Sequence, residues 1–271
     1  MKYSMMSYTV SRQPQHFDLR KMLKTTVELQ LDGIDFVTLH GEKAKELRKM
    51  ADDLGIKVVC HTFIAGELAS TDPAELRAGL DKAKAAFEAA VELGAPVVMV
   101  PTGGSDKPRA ERRRDWINGL AQAAPFAADA GVTLTVENFP GLTSPFVTAA
   151  DILEAVEEIP GLKITYDNGN AASGEEPAAS FERCAKHVVH AHFKDWDIVK
   201  VPTEGYREML DGKFYRPALI GEGDVDQAAC LRAMKAAGYE GYINIEYENN
   251  KYDPYEATRK AVEYLRSLEN A

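Results

Sequence analysis

The sequence predicts an α/β protein in which residues 1–271 form one closed (β/α)8 barrel, the TIM-barrel architecture. Eight short strand-like runs alternate with helical segments along the whole chain, which is the pattern of parallel strands joined by helical crossovers. The segment after the first strand, Ser11-Arg12-Gln13-Pro14, lacks the GxGxxG turn expected of a doubly wound open sheet. Because no linker, low-complexity segment or block of charge divides the chain, a single domain is the simpler interpretation.

The predicted strands are short runs rich in apolar and β-branched residues. In chain order they are YSMMSYTV (3–10), IDFVTLH (34–40), KVVCHTF (57–63), PVVMVPT (96–102), TLTVENF (133–139), LKITYDN (162–168), VVHAHFKDW (188–196) and YINIEYE (242–248). Eight strand-helix units are the number that a closed barrel of this kind requires. The longest connection, 197–225, shows little helical periodicity, and long irregular loops in compact domains are commonly functional lids.

Amphipathic helices are predicted between the strands because polar and apolar residues recur there at helical spacing. The clearest segments are DLRKMLKTTVELQ (18–30), AKELRKMADDLG (44–55), PAELRAGLDKAKAAFEAAVELG (73–94) and PYEATRKAVEYLRSLE (254–269). Several of them end at a glycine, as helix C-termini often do. The runs TDPAE (71–75) and DPYE (253–256) each place a capping residue before a proline in the first turn.

Composition and charge exclude several classes of function. A net charge of -10 and a pI near 5.2 argue against a nucleic-acid partner, since binding to phosphate backbones depends on clustered Lys and Arg. The three cysteines, Cys60, Cys184 and Cys230, show no CxxC spacing, so neither a disulfide framework nor a thiolate zinc site is indicated. The N-terminal segment lacks a signal-peptide pattern, and no apolar run approaches the ~18 residues of a membrane span. We therefore expect a cytoplasmic protein without a membrane partner.

Polar residues occupy alternate positions in four of the later strands. The positions are Thr133, Thr135 and Glu137; Lys163, Thr165 and Asp167; His190, His192 and Lys194; and Asn244, Glu246 and Glu248. Residues two apart share a face, and the outward face of a barrel packs under helices, so these side chains must face the lumen. Burying ionised carboxylates costs several kcal/mol each unless an opposite charge meets them. His192 and Lys194 supply too little fixed charge, which predicts a divalent metal.

The predicted metal site is hard and rich in oxygen, with ligands at the C-terminal ends of strands five to eight, where barrel active sites lie. Its ligands are Glu137, Asp167, His192 and Glu246. This set suits Mn2+ or Mg2+ better than Zn2+; we prefer Mn2+, with Mg2+, Co2+ or Zn2+ as alternatives. Glu248 also faces inward and is an alternative to Glu246. His190 lies one layer deeper and is interpreted as a hydrogen-bonded core histidine.

Five motifs, in this order and on these strands, resemble the sugar isomerase and epimerase barrels related to xylose isomerase and the type IV AP endonucleases. They are VEN (136–138), DNGN (167–170), HFKD (192–195), GEGDVD (221–226) and IEYE (245–248). The resemblance covers essentially the whole chain. In the ketose 3-epimerases and hydroxypyruvate isomerases of this family, a glutamate, an aspartate, a histidine and a second glutamate on strands five to eight hold a divalent metal. The resemblance implies the same role for the four residues named above, and an acid and base role for Glu137 and Glu246.

The sequence departs from this family pattern at two places. The AP endonucleases carry a three-zinc site with additional histidines, where this chain has Asn170, Pro101 and Thr102. With too few histidines and an acidic composition, DNA repair is not expected. The histidine that Asn170 replaces contacts the substrate in several ketose epimerases, so Asn170 is a candidate substrate contact and the identity of the sugar stays open.

Such a site is suited to proton transfer beside a carbonyl. A metal that bridges a carbonyl and an adjacent hydroxyl polarises both, and a carboxylate can then remove the intervening proton to give a cis-enediolate. Return of the proton gives an epimer or an isomer, which predicts a sugar isomerase or epimerase acting on a ketose or related keto-sugar. If the β-carbon carries a leaving group, the same enediolate expels it, which makes a lyase or dehydratase on a keto-inositol or 3-keto-glycoside the alternative. A third hypothesis, a sugar-binding protein without chemistry, predicts a broken ligand set, whereas all four positions are intact.

Five residues are candidates for contacts with the substrate. They are Lys194, His61, Asn170, Trp196 and Arg216. Lys194 is expected to support a developing oxyanion or to orient a carboxylate, with a rim salt bridge as the alternative. Trp196 is a candidate for stacking on a sugar ring, with a packed loop anchor as the alternative. Arg216 would reach the substrate from the long loop, unless it is simply solvated, and His61 would contact a hydroxyl unless it is structural.

The substrate is expected to be an unphosphorylated small-molecule sugar or polyol ketone. Barrels of this type usually bind phosphate with the loops after strands seven and eight. Here those loops carry Glu222, Asp224 and Glu248, which would repel a phosphate. The resemblance also suggests a homo-oligomer, since family members commonly form dimers or tetramers.

Overall fold

Eight parallel strands close into one barrel in which neighbouring strands follow the order of the chain. The structure is a computed structural model that describes residues 1–269. Its barrel strands are β1 (Lys2–Met6), β2 (Gly33–Val37), β3 (Val58–Thr62), β4 (Val97–Val100), β5 (Thr133–Glu137), β6 (Lys163–Asp167), β7 (Val188–Phe193) and β11 (Tyr242–Ile245). The ring closes because β1 pairs in parallel with both β2 and β11. The predicted (β/α)8 barrel is confirmed.

Helices follow the barrel strands, and the longer ones cover the outer face of the sheet. They are α1 (Ser7–Ser11), α2 (Leu19–Glu28), α3 (Ala44–Asp52), α4 (Pro73–Leu93), α5 (Arg109–Ala130), α6 (Ala149–Glu158), α7 (Asn168–Ala172), α8 (Pro177–Cys184), α9 (Gln227–Ala236) and α10 (Pro254–Glu269). The side chain of Asp72 caps α4 by accepting hydrogen bonds from the N–H groups of Ala74 and Glu75, as the TDPAE run predicts. Within residues 1–269, no helix has both the length and the apolar character that crossing a membrane requires.

The first predicted strand, 3–10, is too long at its C-terminal end. The strand stops at Met6, and the next five residues form the short helix α1. Thr9 holds this turn over the end of the barrel, since its hydroxyl donates to the carbonyl of Ile245 and accepts from the N–H of Tyr247. The turn brings Tyr8 to the C-terminal end of the barrel.

The predicted seventh strand and the predicted irregular loop also need correction. The strand 188–196 breaks at Lys194, after which the chain enters a small antiparallel sheet of β8 (Asp195–Val199), β9 (Arg207–Glu208) and β10 (Phe214–Ala218). We call this sheet with its connections, residues 195–218, the hairpin. Trp196, Met209 and Tyr215 of the hairpin form a small core together with Val225 from the loop that follows. Helical periodicity is absent from this part of the sequence because the segment forms a β-sheet. Its strands are only two to five residues long, which is too short for an alternating pattern to reveal them.

A single buried carboxylate fastens the hairpin to the loop that follows it. Asp195 accepts hydrogen bonds from the backbone N–H groups of Trp196, Gly221, Gly223 and Val225 at 2.9–3.2 Å. A Cβ atom on Gly223 would lie 2.2 Å from Oδ1 of Asp195, so only glycine fits there. The GEGDVD motif is therefore the backbone wrapped around this carboxylate.

The carboxylate of Asp151 joins α5 to α6. It completes a capping box with Thr148 at the start of α6, and it also accepts from the N–H of Val147 at 3.1 Å. Arg109 and Arg113 of α5 contact its two oxygens at 2.5 and 2.6 Å. Burial raises the pKa of Asp151, but the backbone N–H groups and the two guanidinium groups outweigh burial and hold the pKa below its ordinary value.

We expect Asp151→Asn to lower the free energy of unfolding by about 1–3 kcal/mol at neutral pH, because a buried ionised acceptor is lost. Since folding lowers the pKa of Asp151, its contribution is present above the ordinary value of 3.8 and is lost as the pH falls through the folded-state pKa. Urea unfolding at neutral pH and at acid pH measures both effects. Glu158→Gln is the control, since Glu158 pairs with Arg114 at the surface and its loss should cost about 1 kcal/mol or less. Equal losses in the two variants would contradict this account.

Candidate active site

The four predicted metal ligands meet at the C-terminal end of the barrel. Glu137, Asp167, His192 and Glu246 each contribute an atom to a buried group whose members all lie within 4.8 Å of one another. The register explains the convergence, since Asp167 lies beside His192 on β6 and β7, and Asn244 lies beside His192 on β11 and β7. We call these four residues the carboxylate cluster.

Two basic side chains lie among the acids. Nδ1 of His192 is 2.7 Å from Oε1 of Glu137 and 3.9 Å from Oε2 of Glu246. Nζ of Lys194 lies 3.4 Å from Oδ2 of Asp167 and 3.2 Å from Oε2 of Glu246, and it is 3.6 Å from Glu248 at the rim. Glu248 is therefore a partner of Lys194 rather than a member of the cluster.

The cluster has more acidic groups than basic ones. Burial raises the pKa of Asp167 well above its ordinary value, and the charges of Glu246 and Glu137 add to this effect against that of Lys194. Burial opposes the charge on Lys194, but the surrounding carboxylates raise its pKa well above the ordinary value, so the ammonium stays protonated. Burial opposes the charge on His192 as well, but Glu137, Asp35 and Glu246 raise its pKa well above the ordinary value. Even with both basic groups charged, the surrounding carboxylates outnumber them, and a further positive charge at this point would stabilise the site.

The donor atoms fit a bound cation. Oδ2 of Asp167 and Oε2 of Glu246 are buried, and neither accepts a hydrogen bond among residues 1–269, although the ammonium of Lys194 lies 3.4 and 3.2 Å from them. A buried carboxylate oxygen without a donor is costly, and coordination of a metal ion removes that cost. Three carboxylates and one imidazole form a donor set suited to a hard or borderline divalent ion.

Two asparagines hold Asp167 in position. The side chain of Asn138 bonds both the N–H and the carbonyl of Asp167 at 2.8 Å, which locks the ends of β5 and β6 together. Oδ1 of Asp167 accepts from the N–H of Asn170 at 2.7 Å, which leaves Oδ2 facing the cluster. Asn170 is fully buried and also donates to the carbonyl of Asn138 at 2.9 Å, so the structure places it behind the cluster.

Hydrogen bonds also fix the backbone on both sides of Lys194. Asn168 accepts from the N–H of Lys194 at 3.1 Å, and Gln227 donates to its carbonyl at 2.9 Å. Gly169 lies against the stem of the lysine, since a Cβ at this position would be 2.4 Å from Cγ of Lys194. The DNGN motif thus supplies Asp167 of the carboxylate cluster, an acceptor for the N–H of Lys194 and the space that the Lys194 stem occupies.

Trp196 is not placed to stack on a sugar. Its side chain is fully buried in the small core of the hairpin, and its Nε1 donates to the carbonyl of Gly169 at 2.8 Å. The alternative weighed from the sequence, a packed loop anchor, describes its position. The ring supports Lys194, whose Nζ lies 5.7 Å from the ring centroid.

Arg216 lies outside the cluster. It pairs with Asp197 at 2.6 Å and covers the ring of Tyr206, and its side chain is half exposed. Within the hairpin, Arg207 lines a cavity of about 370 Å³ that Glu248, the partner of Lys194 at the rim, also lines. The other lining residues include Tyr8, Arg12 and Tyr206.

His61 lies on the opposite wall of the barrel, on β3. Its Nδ1 is 2.9 Å from the carbonyl of Phe36, and burial lowers its pKa, so the ring is neutral. Its position accords with the structural histidine that the sequence left as an alternative.

A polar layer beneath the cluster was missed by sequence reasoning. Its centre is Asp35 on β2, which is fully buried and lies 3.7 Å from both His190 and His192. Asn244 donates to Asp35 at 2.7 Å. The sequence carried a signal for this layer, because Asp35 is a lone acid in the otherwise apolar run IDFV. Asn138 likewise lies in the VEN motif, although no role followed from that motif alone.

Comparison with known proteins gives similarities at three levels. The sequence model of the xylose isomerase-like TIM barrel family matches residues 23–268. An inosose dehydratase of Geobacillus thermodenitrificans is 27% identical over 254 residues, covering 86% of this chain and 84% of that protein. A 3-keto-D-glucoside 4-epimerase of E. coli has 18% identity and a TM-score of 0.78, covering 98% of this chain and 99% of its own. A D-tagatose 3-epimerase-like protein has 23% identity and a TM-score of 0.78, and the match covers 100% of this chain and 99% of that protein. The structural similarities indicate the fold.

We expect Gly169→Ala to destabilise the protein by about 1–3 kcal/mol, because the added methyl group overpacks the contact with Lys194. Gly66→Ala is the matched control, since a Cβ at Gly66 has no neighbour within 4 Å among the described residues. Urea unfolding of both variants is the measurement. Similar stability of the two variants would show that the close approach at Gly169 is not needed.

Proposed function

The chain belongs to the xylose isomerase-like TIM barrel family, and from this premise we propose that it is a divalent-metal-dependent sugar isomerase or epimerase. Its substrate would be a ketose or a related keto-sugar, and its reaction a proton transfer through a cis-enediolate. The observation that carries the proposal is the convergence of Glu137, Asp167, His192 and Glu246 at the carboxyl end of the barrel.

The same four residues would hold the metal. Mn2+ is the preferred ion, with Mg2+, Co2+ or Zn2+ as alternatives, because the donor set is mainly carboxylate oxygen. When bound, such an ion acts as a Lewis acid that polarises the carbonyl and hydroxyl of the substrate and so makes the proton between them easier to remove.

Glu137 and Glu246 are the proposed acid and base. They lie at the ends of β5 and β11, which are separated by two strands of the barrel, and so can approach a substrate carbon from different sides. One carboxylate takes the proton and the other returns one, either to the same carbon or to its neighbour. Burial of both side chains excludes bulk water from the transfer.

Lys194 is proposed to stabilise the charge that develops on the substrate oxygen. Its ammonium lies 3.2 Å from Glu246, so it is beside one of the two proton-transfer groups. Its backbone is fixed on both sides and its stem fills the space left by Gly169. A charge held in place before the reaction stabilises a transition state without a cost of reorganisation.

A metal-dependent lyase or dehydratase that acts on a keto-inositol or a 3-keto-glycoside is the second candidate. The observation that favours it is the similarity to an inosose dehydratase along 86% of this chain. Its chemistry would begin with the same proton abstraction, and the group on the β-carbon would then leave after protonation, as water from a keto-inositol or as the aglycone alcohol from a 3-keto-glycoside. Both candidates require the same four residues, so the fate of the enediolate has to be measured.

We expect the purified protein to bind one Mn2+ per chain after dialysis, and Glu246→Gln and His192→Ala to lose most of this binding, because each removes a ligand. Metal analysis with isothermal titration calorimetry measures the stoichiometry and affinity. Glu248→Gln is the matched control and should still bind Mn2+, since Glu248 contacts Lys194 outside the cluster. If the wild-type protein binds no divalent ion, the proposed mechanism is wrong.

We expect the Mn2+-loaded protein to exchange hydrogen with heavy water at the carbon beside the carbonyl of its substrate. Ketohexoses, an inosose and a 3-keto-glucoside form the test panel, followed by mass spectrometry and NMR. Deuterium incorporation without loss of water or aglycone supports the isomerase or epimerase. Loss of water or aglycone supports the lyase instead, and Glu137→Gln should stop either reaction.

A further inference from the structure

Asp35 lies one layer below the carboxylate cluster, at a point where several hydrogen-bond donors converge. Asn244 donates to its Oδ2 at 2.7 Å, and the hydroxyl of Thr62 lies 3.4 Å from both carboxylate oxygens. Ser4 donates to Oδ1 of Asn244, which turns the amide nitrogen toward Asp35. Asp35 is therefore set up as an acceptor for groups that face it from several strands.

His192 spans the distance between Asp35 and the cluster. Its Nδ1 faces Glu137 at 2.7 Å, and its Nε2 faces Oδ2 of Asp35 at 3.7 Å. Among residues 1–269, Nε2 has no hydrogen-bond partner although the ring is completely buried. The ring thus has one nitrogen directed at the cluster and the other at a buried carboxylate that is slightly too far away to accept its proton.

We propose that Asp35 is a positioning residue for the metal, acting through His192. The inference rests on the proposed function, because it requires the carboxylate cluster to bind an ion. With Nδ1 as the ligand atom, Nε2 carries the proton, and a shortening of the 3.7 Å separation when the metal binds makes Asp35 the acceptor that selects this tautomer and fixes the plane of the ring. A carboxylate behind a ligand histidine orients the ring and makes it a stronger donor to the metal.

A second metal site in this layer is the competing explanation. Asp35, Cys60 and His190 present donor atoms within 4.8 Å of one another, and Nε2 of His190 has no hydrogen-bond partner within the described chain. The hydrogen bonds of Asp35 favour the positioning role, because Oδ2 already accepts from Asn244 and both oxygens face the hydroxyl of Thr62. Coordination at Asp35 would have to displace these donors.

The test compares Asp35→Asn with Cys60→Ala. An asparagine can place its one oxygen where Oδ2 of Asp35 faces Asn244 and His192, but it carries no negative charge and is therefore a weaker acceptor for the Nε2 proton. We expect Asp35→Asn to weaken Mn2+ binding about 10–100-fold, as measured by EPR of free Mn2+ during titration. Cys60 lies in the same layer but is not a member of the carboxylate cluster, so Cys60→Ala should bind Mn2+ like the wild type. Thermal melting of the metal-free proteins checks that each variant folds.

A spectroscopic readout separates positioning from a general disturbance of the layer. In the Co2+-loaded wild type, the Nε2 proton of His192 should give a shifted 1H NMR signal that exchanges slowly with solvent. The signal should move and exchange faster in Asp35→Asn but not in Cys60→Ala. The wild-type spectrum alone decides the matter if Asp35→Asn does not fold, since a protonated Nδ1 would overturn the proposal.

The other possible results of these titrations also test the positioning role. Equal Mn2+ affinity in Asp35→Asn and wild type overturns the positioning role while leaving the proposed function intact. Equal weakening in Asp35→Asn and Cys60→Ala overturns it too, as does a second bound ion that both variants lose. If the wild-type protein binds no divalent ion in the titration, both the proposed function and this inference are wrong.

Discussion

The constraint on which the site depends is electrostatic. Glu137, Asp167 and Glu246 are buried within a few ångströms of one another, and a single ammonium group lies among them. Separate buried carboxylates would each lose the solvation that water provides, so the arrangement persists only because fixed donors and cations replace that solvation. The barrel accommodates the charges by turning them inward while the opposite faces of the same strands, such as Val136 on β5, pack into an apolar core.

Hydrogen bonds from short motifs determine where each charge lies. Asn138 ties the backbone of β6 to β5, and Asn168 with Gln227 fixes the backbone at Lys194. These side chains carry no charge and do not belong to the cluster. They restrict the number of positions that the charged groups can adopt, which is how a site of like charges keeps one geometry.

Much of the fold could be predicted from the sequence, because alternation with period two and helical periodicity are properties of local segments. The convergence of Glu137, Asp167, His192 and Glu246 also followed, since strand ends of a parallel barrel meet at one rim. The hairpin did not follow, because its small core forms only when β8 and β10 pair. The burial of Trp196 depends on that pairing, and for this reason the sequence alone could not distinguish a ring that faces a substrate from a ring that packs in a core. Tyr8 and Arg207 were missed for a related reason, since neighbours across the opening come from distant parts of the chain.

The attachment of the hairpin through Asp195 separates two tasks within one polypeptide. Four backbone N–H groups close around this carboxylate immediately after Lys194, so everything between Asp195 and Gly221 is an insertion whose two ends are held together. Residues such as Arg207 and Tyr206 could then be exchanged, lengthened or shortened during evolution without displacing the groups beneath them. The chain is in this sense modular, because the barrel holds the carboxylate cluster in one geometry while the hairpin beside it is free to vary in sequence and length.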